Sequence, residues 1–165
     1  RLVPVAGTRR DAFVNRRRVG IGGGALALVG AGFAATEGRN WYYAYLSEDV
    51  AESLSVREAH AQALAGEVLL VDIRRPDEWA GTGSAASGHR LDMRREDFTD
   101  ALLALAEGDR SARIALICAR GVRSSRLANQ LAAAGFTNVI DVPEGMLGSA
   151  AGPGWIREGL PVDRS

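Results

Sequence analysis

Lysine is missing from this 165-residue chain, so all 20 of its basic side chains are arginines. Cysteine occurs once, at position 118, and histidine twice, at positions 60 and 89. A single thiol excludes an internal disulfide and any zinc site built on several thiolates. The two histidines lie far apart, without the spacing of a helical or hairpin ligand pair, so no metal centre is expected. Net charge is lacking too, because 20 acidic residues balance the arginines. The balance is uneven. Seven arginines fall in residues 1–40 beside only Asp11 and Glu37, and beyond them acidic residues outnumber arginines eighteen to thirteen. A mildly acidic remainder offers no surface for nucleic acid. We read the exclusive use of arginine as the mark of a GC-rich coding sequence, not as chemistry. No uncharged run reaches the ~20 residues of a comfortable membrane span.

What is present begins with NRRRVGIGGGALALVGAGFAA, residues 15–35. Arg16, Arg17 and Arg18 form a cationic start, and Val19 to Ala35 is uncharged and rich in glycine and alanine. Gly32 and Ala34 are small residues where a signal peptidase reads them. This is the layout of an export signal, and the consecutive arginines resemble a twin-arginine signal, with Gly20 departing from that pattern. An uncleaved anchor or a flexible basic leader is the alternative. Residues 1–40 are therefore expected to be an export signal or membrane-anchoring leader, and the protein periplasmic, otherwise exported, or anchored through them. No cysteine near Ala35 serves as a lipoprotein attachment site. Residues 41–53 form a connecting arm whose Trp41, Tyr42, Tyr43 and Tyr45 either pack on the domain or sit at a membrane interface.

Beyond the arm, strand and helix signals alternate. Ser55 and Glu58 have capping-box spacing ahead of a helix that Gly66 closes. Val68 to Val71 and Arg113 to Ile117 are short apolar runs, as expected of strands covered on both faces. Helical patterns run from about Asp97 to Ala106 and from Arg123 to Ala134, a strand from Asn138 to Val142, and a short helix is expected near Gly148 to Arg157. Such alternation implies a parallel sheet between helical layers, with ligands outside the carboxyl ends of its strands. Two chemically loaded segments fall at that edge: Asp72-Ile73-Arg74, and Cys118 onward.

In CARGVRS (118–124) the thiol ends a strand and a helix starts a few residues later. A loop folded around the sulfur would aim the amides of Ala119 to Ser124 inward as an anion nest. The helix amino terminus adds ~0.3–1 kcal/mol for an anion there. Arg120 and Arg123 supply full charges, and Gly121 permits the tight turn. These features favour a thiolate, which is both a nucleophile and a leaving group. A carbon or phosphorus adduct competes with a second sulfur as the atom it captures. Cysteine phosphatases place arginine six residues after the cysteine; here Arg123 is the fifth residue on. The tighter ring suits a single terminal sulfur.

CARGVRS, with GFTNVIDVPEGM behind it, resembles the active-site loop of the rhodanese family of sulfurtransferases. VLLVDIRRPDEWA (68–80) is similar to that family's strand ending in Asp-x-Arg followed by Pro-x-Glu-aromatic, and GPGWIREGLPV to its closing segment. The resemblance spans roughly Leu54 to Val162 and makes 54–165 a rhodanese-like domain. It implies an α/β three-layer fold with a five-stranded parallel sheet flanked by helices. It also implies a thiosulfate:cyanide-type sulfurtransferase without a cofactor, carrying sulfane sulfur as a persulfide on Cys118. On this reading Ala119, Arg120, Gly121, Val122, Arg123 and Ser124 bind the substrate. Its partners would be a small anionic sulfur donor, a thiol or cyanide acceptor, and in some settings a sulfur-accepting protein. Asp72 and Arg74 would support the site as an internal brace or touch substrate. Arg120 is either a donor contact or a solvated charge. The family's usual Gly-His-Ile-Pro-Gly-Ala is replaced by GTGSAASGHRLDM, so His89 receives no role, and both it and His60 are taken as surface or packing histidines. A non-enzymatic sulfur carrier acting with a partner protein is the rival reading, and a cysteine phosphatase or arsenate reductase the third.

Overall fold

The structure, a computed structural model, describes residue 50 and residues 52–165. The 1–40 leader and most of the 41–53 arm lie outside the described residues. Ten elements follow in chain order: α1 (Val56–Leu64), β1 (Leu69–Asp72), α2 (Pro76–Thr82), β2 (Ser84–Ala85), β3 (His89–Arg90), α3 (Phe98–Leu105), β4 (Ile114–Ile117), α4 (Val122–Ala133), β5 (Val139–Asp141) and β6 (Val162–Asp163). The main sheet is parallel throughout, in the order β3-β1-β4-β5.

Alternation along the strands divides the core in two. Val71, Ile73, Ile114, Leu116 and Cys118 face a cluster built with Phe98 and Leu102 of α3 and Leu127, Ala128 and Leu131 of α4. Leu70, Ala115, Ile117 and Ile140 face the other way, onto Val56 and Ala59 of α1 with Met146 and Trp155. Helices thus cover both faces, as expected of an α/β three-layer fold. The wholly buried IALI of β4 is apolar because neither of its faces meets water.

Five strands are expected and four form. The fifth position belongs to residues 52–54, which add one isolated parallel bridge, Ser53 to Asp141. Leu54 N–H donates to the Asp141 carbonyl at 2.9 Å, and Asp141 N–H to that of Glu52 at 3.1 Å. The segment then turns into α1 at once, because Ser55 caps that helix and Glu58 completes the capping box. The expected helix near Gly148 to Arg157 is a succession of turns. Gly148 and Gly154 both sit near φ +84°, which no continuous helix allows, and Pro153 lies between them. A two-stranded antiparallel sheet, β2 with β6, returns the end of the described chain to the domain.

Trp155 anchors that closing segment. It is fully buried, its indole N–H donates to the Pro161 carbonyl at 2.9 Å, and His60 meets its ring edge-on at 5.2 Å between centroids. Trp155→Ala should cost about 3–5 kcal/mol in urea unfolding, the usual penalty for emptying such a site. Ile156→Ala, at a residue 39% exposed, should shift the midpoint little.

Candidate active site

Cys118 directly follows β4, and three residues separate it from the start of α4. Gly121, at φ +85°, makes the turn; a Cβ there would run into the Pro143 carbonyl. The loop after β5 presses on the same turn from the other side. Gly145 sits at φ +66°, and a Cβ on it would lie 2.6 Å from the Ala119 carbonyl carbon. Met146 N–H donates to the Cys118 carbonyl and Leu147 N–H to that of Ala119, each at 2.9 Å. Two loops are therefore locked backbone to backbone around the cysteine.

Cys118 is only 1% exposed. It nonetheless forms part of a cavity of about 380 Å³ lined by Cys118, Ala119, Arg120, Val122, Arg123 and Leu147. Gly121 N–H donates to Sγ at 3.2 Å, and the Ser124 hydroxyl approaches it at 3.5 Å while donating to the Gly121 carbonyl at 3.0 Å. Of the six amides expected in a nest, Gly121's donates to the sulfur.

Arg123 and Arg120 both reach the cavity, but each is also tied to the protein. The Arg123 guanidinium grips Glu78 of α2 with two hydrogen bonds, 2.8 and 2.7 Å. Its pKa is raised by that carboxylate first of all, against burial, with the Cys118 sulfur adding to the effect. Burial opposes ionisation of Glu78. The Arg123 hydrogen bonds, the Arg75 N–H and both arginine charges outweigh it and leave the carboxyl below its ordinary value. Arg120 donates from Nη1 to the Gly148 carbonyl at 2.9 Å and is half-buried.

Asp72 and Arg74 share the carboxyl edge of the sheet with Cys118 but not its face. Asp72 pairs in register with Ile117, whose side chain points away from the α4 layer. Arg74 clasps the Asp72 carboxylate through Nε at 2.9 Å and Nη2 at 2.8 Å, then spans to Thr82 Oγ1 and the Gly83 carbonyl. The pair is 0–1% exposed and lies outside the cavity lining. It braces the β1–α2 turn, so the substrate-contact reading of these two residues is set aside. His89 is exposed on β3, and His60 bonds Ser87 Oγ at 2.9 Å.

Three residues escaped the sequence reading. Glu78 carried a signal, the Pro-x-Glu-aromatic motif, but no indication of its partner. Leu147 carried none. Asp141 ends an otherwise apolar strand within GFTNVIDVPEGM. It is 4% exposed, its Oδ1 has no hydrogen-bond partner among the described residues, and burial pushes its carboxyl from 3.8 up to about 6.

The family model for the Rhodanese-like domain matches residues 55–151, more than half of the chain. The chain belongs to the rhodanese-like family. Solved structures agree on the fold. The Rhodanese-like domain of an Anabaena protein is 19% identical, with a TM-score of 0.53 over 69% of this chain and 80% of that one. The polysulfide-sulfur transferase of Wolinella succinogenes is 23% identical, at a TM-score of 0.53 over 81% and 88%. A thiosulfate sulfurtransferase from Pseudomonas aeruginosa is 25% identical, at a TM-score of 0.53; the match covers 68% of this chain and 20% of that larger one. No curated protein matches.

Two stability predictions follow from the buried charges of this rhodanese-like domain. Arg74→Met strands a buried carboxylate and should cost about 3–5 kcal/mol in chemical denaturation, most of it recovered when Asp72→Leu is added. Asp141 acts through pH. As pH rises from 3.8 to about 6 the unfolded chain gives up this proton while the native state keeps it, so native stability falls across that window and levels off above it. Asp141→Asn should therefore be more stable than the wild type by roughly 2–3 kcal/mol above the window, with the difference vanishing below it, in urea titrations over pH.

Proposed function

We propose that this rhodanese-like domain is a sulfurtransferase. It takes sulfane sulfur from thiosulfate or a similar small anionic donor, holds it as a persulfide on Cys118, and passes it to a thiophilic acceptor. The observation that carries the reading is a sulfur at the floor of a cavity, bonded by the Gly121 N–H, approached by the Ser124 hydroxyl and flanked by Arg123. The named activity of the Pseudomonas aeruginosa relative supports it.

In the first half-reaction the Cys118 thiolate attacks the outer sulfur of thiosulfate. A bond forms between the two sulfurs, the bond from the outer sulfur to the sulfonate sulfur breaks, and sulfite leaves with that electron pair. Negative charge then sits on the outer sulfur, within a cavity walled by Arg120 and Arg123. In the second half-reaction cyanide or an acceptor thiolate attacks the outer sulfur and the Cys118 thiolate departs. A covalent intermediate between two such steps requires ping-pong kinetics. Arg123 contributes a charge partly balanced by Glu78, so its main service is to fix the first turn of α4 in place. Arg120 is held by Gly148 at the cavity wall, where it meets the anionic end of the donor. Export through residues 1–40 would place this chemistry outside the cytoplasm, with no second cysteine in the chain to trap the persulfide.

Intact mass spectrometry after thiosulfate exposure should show one added sulfur atom, and Cys118→Ser should add none while remaining folded by circular dichroism. Absence of the adduct in the wild type would sink the assignment. An adduct without turnover to cyanide would move the protein to the carrier reading.

A further inference from the structure

We propose that Leu147 is a specificity residue: with Val122 it forms an apolar seat beside Cys118, and the donor this seat selects is an organic one, an outer sulfur anion attached to a carbon-bearing group. The inference rests on Cys118 being the sulfur-loading residue of the preceding reading, and it names the donor class for that residue. Three large apolar side chains are exposed among the described residues, Leu64, Leu147 and Ile156. Leu147, 38% exposed, is the one that lines the cavity holding the Cys118 sulfur.

The backbone keeps Leu147 there. Its N–H donates to the Ala119 carbonyl at 2.9 Å. Met146 before it is fully buried, and Ile156 N–H donates to the Met146 carbonyl at 3.2 Å. Gly148 after it turns at φ +84° and accepts from Arg120. With both flanks fixed, the leucine stays at the cavity, where its exposed surface meets water, and covering that surface with another apolar group is favourable. Val122, half-buried at the start of α4, and Ala119 add apolar surface to the same cavity.

The polar side of the cavity fits the same donor. Arg123 closes Nη1 and Nη2 on Glu78 at 2.8 and 2.7 Å, so the two-pronged grip that suits the oxygens of an oxyanion already holds a carboxylate. Arg120 stands on the wall as a second cation, for a donor with one anionic end. The volume of about 380 Å³ is roomy for so compact a dianion as thiosulfate and falls within the roughly 300–1,000 Å³ of sites that take organic ligands. Because Cys118 is 1% exposed, the outer sulfur must travel to the floor, and the group it departs from lies against the wall. The Cys118 thiolate attacks that outer sulfur and a new sulfur–sulfur bond forms. The bond from the outer sulfur to the donor's inner sulfur breaks, and the inner sulfur leaves with the electron pair. It leaves as a thiolate from an organic persulfide, or as a sulfinate from an organic thiosulfonate. Two anions enter and two remain, with no oxidant or reductant.

The test measures the second-order rate of sulfur loading on Cys118 in the full chain, by intact mass, from benzenethiosulfonate, methanethiosulfonate and thiosulfate. Benzenethiosulfonate should load fastest. Leu147→Ala should lower the ratio of the benzene to the methane donor roughly tenfold, the order expected when a pocket loses a few methylenes. Leu147→Met, which conserves volume, should restore most of that ratio. Ile156→Ala, at a residue equally exposed but outside the cavity lining, should leave it unchanged. Damage to the fold would slow both organic donors together, so the ratio reads the seat alone. A ratio that Leu147→Ala does not move, or that Ile156→Ala moves as much, overturns the proposal. Faster loading from thiosulfate than from either organic donor overturns it too and leaves the transferase reading standing. Loading from none of the three overturns both.

Discussion

The arrangement rests on two backbone turns that fit only without side chains. Gly121 lies against Pro143, and Gly145 against Ala119, so the loops that follow β4 and β5 press together with no Cβ between them. Their contact is what bends the chain sharply enough for an amide to meet the Cys118 sulfur three residues before it. It also brings Leu147 to the cavity wall and hands Arg120 the Gly148 carbonyl. A methyl group at either glycine would push the cysteine loop off the β5 loop and open the cavity from below.

Charge is arranged in the same spirit, by fixing groups before any ligand arrives. Arg74 and Asp72 neutralise each other at the β1–α2 turn, and α2, which follows it, carries Glu78. Glu78 holds Arg123, and Arg123 stands beside the sulfur. The chain of pairs runs from a buried brace to the cavity wall, on opposite faces of one sheet edge. Removing an outer member alters a charge at the cavity; removing the inner pair alters the turn that positions all the others.

Much of this was legible beforehand. β1 and β4 announced themselves as short apolar runs, and α1 by its capping box, because each signal is local. The helix carrying Ser124 was evident from its period. Elements of two residues, such as β2, β3 and β6, carry no periodicity to read. The turns after Gly148 looked helical in composition, but positive φ at Gly148 and Gly154 overrode that pattern. Within the site, Cys118 and its loop could be named because they are contiguous. Glu78 lies 45 residues from Arg123, and nothing short of the folded sheet joins them. Asp141 was hidden for the same reason, since only the folded sheet shows that a carboxyl at this strand end is buried.

The depth of the sulfur also decides who can meet it. At 1% exposure Cys118 is out of reach of any broad, flat molecular face. A slender reagent needs only the cavity that Arg120, Val122 and Leu147 help to line. A folded protein could engage only by extending a finger, a loop tip or loose tail with its thiol at the end. Discrimination between clients would then be a matter of silhouette before it is one of affinity.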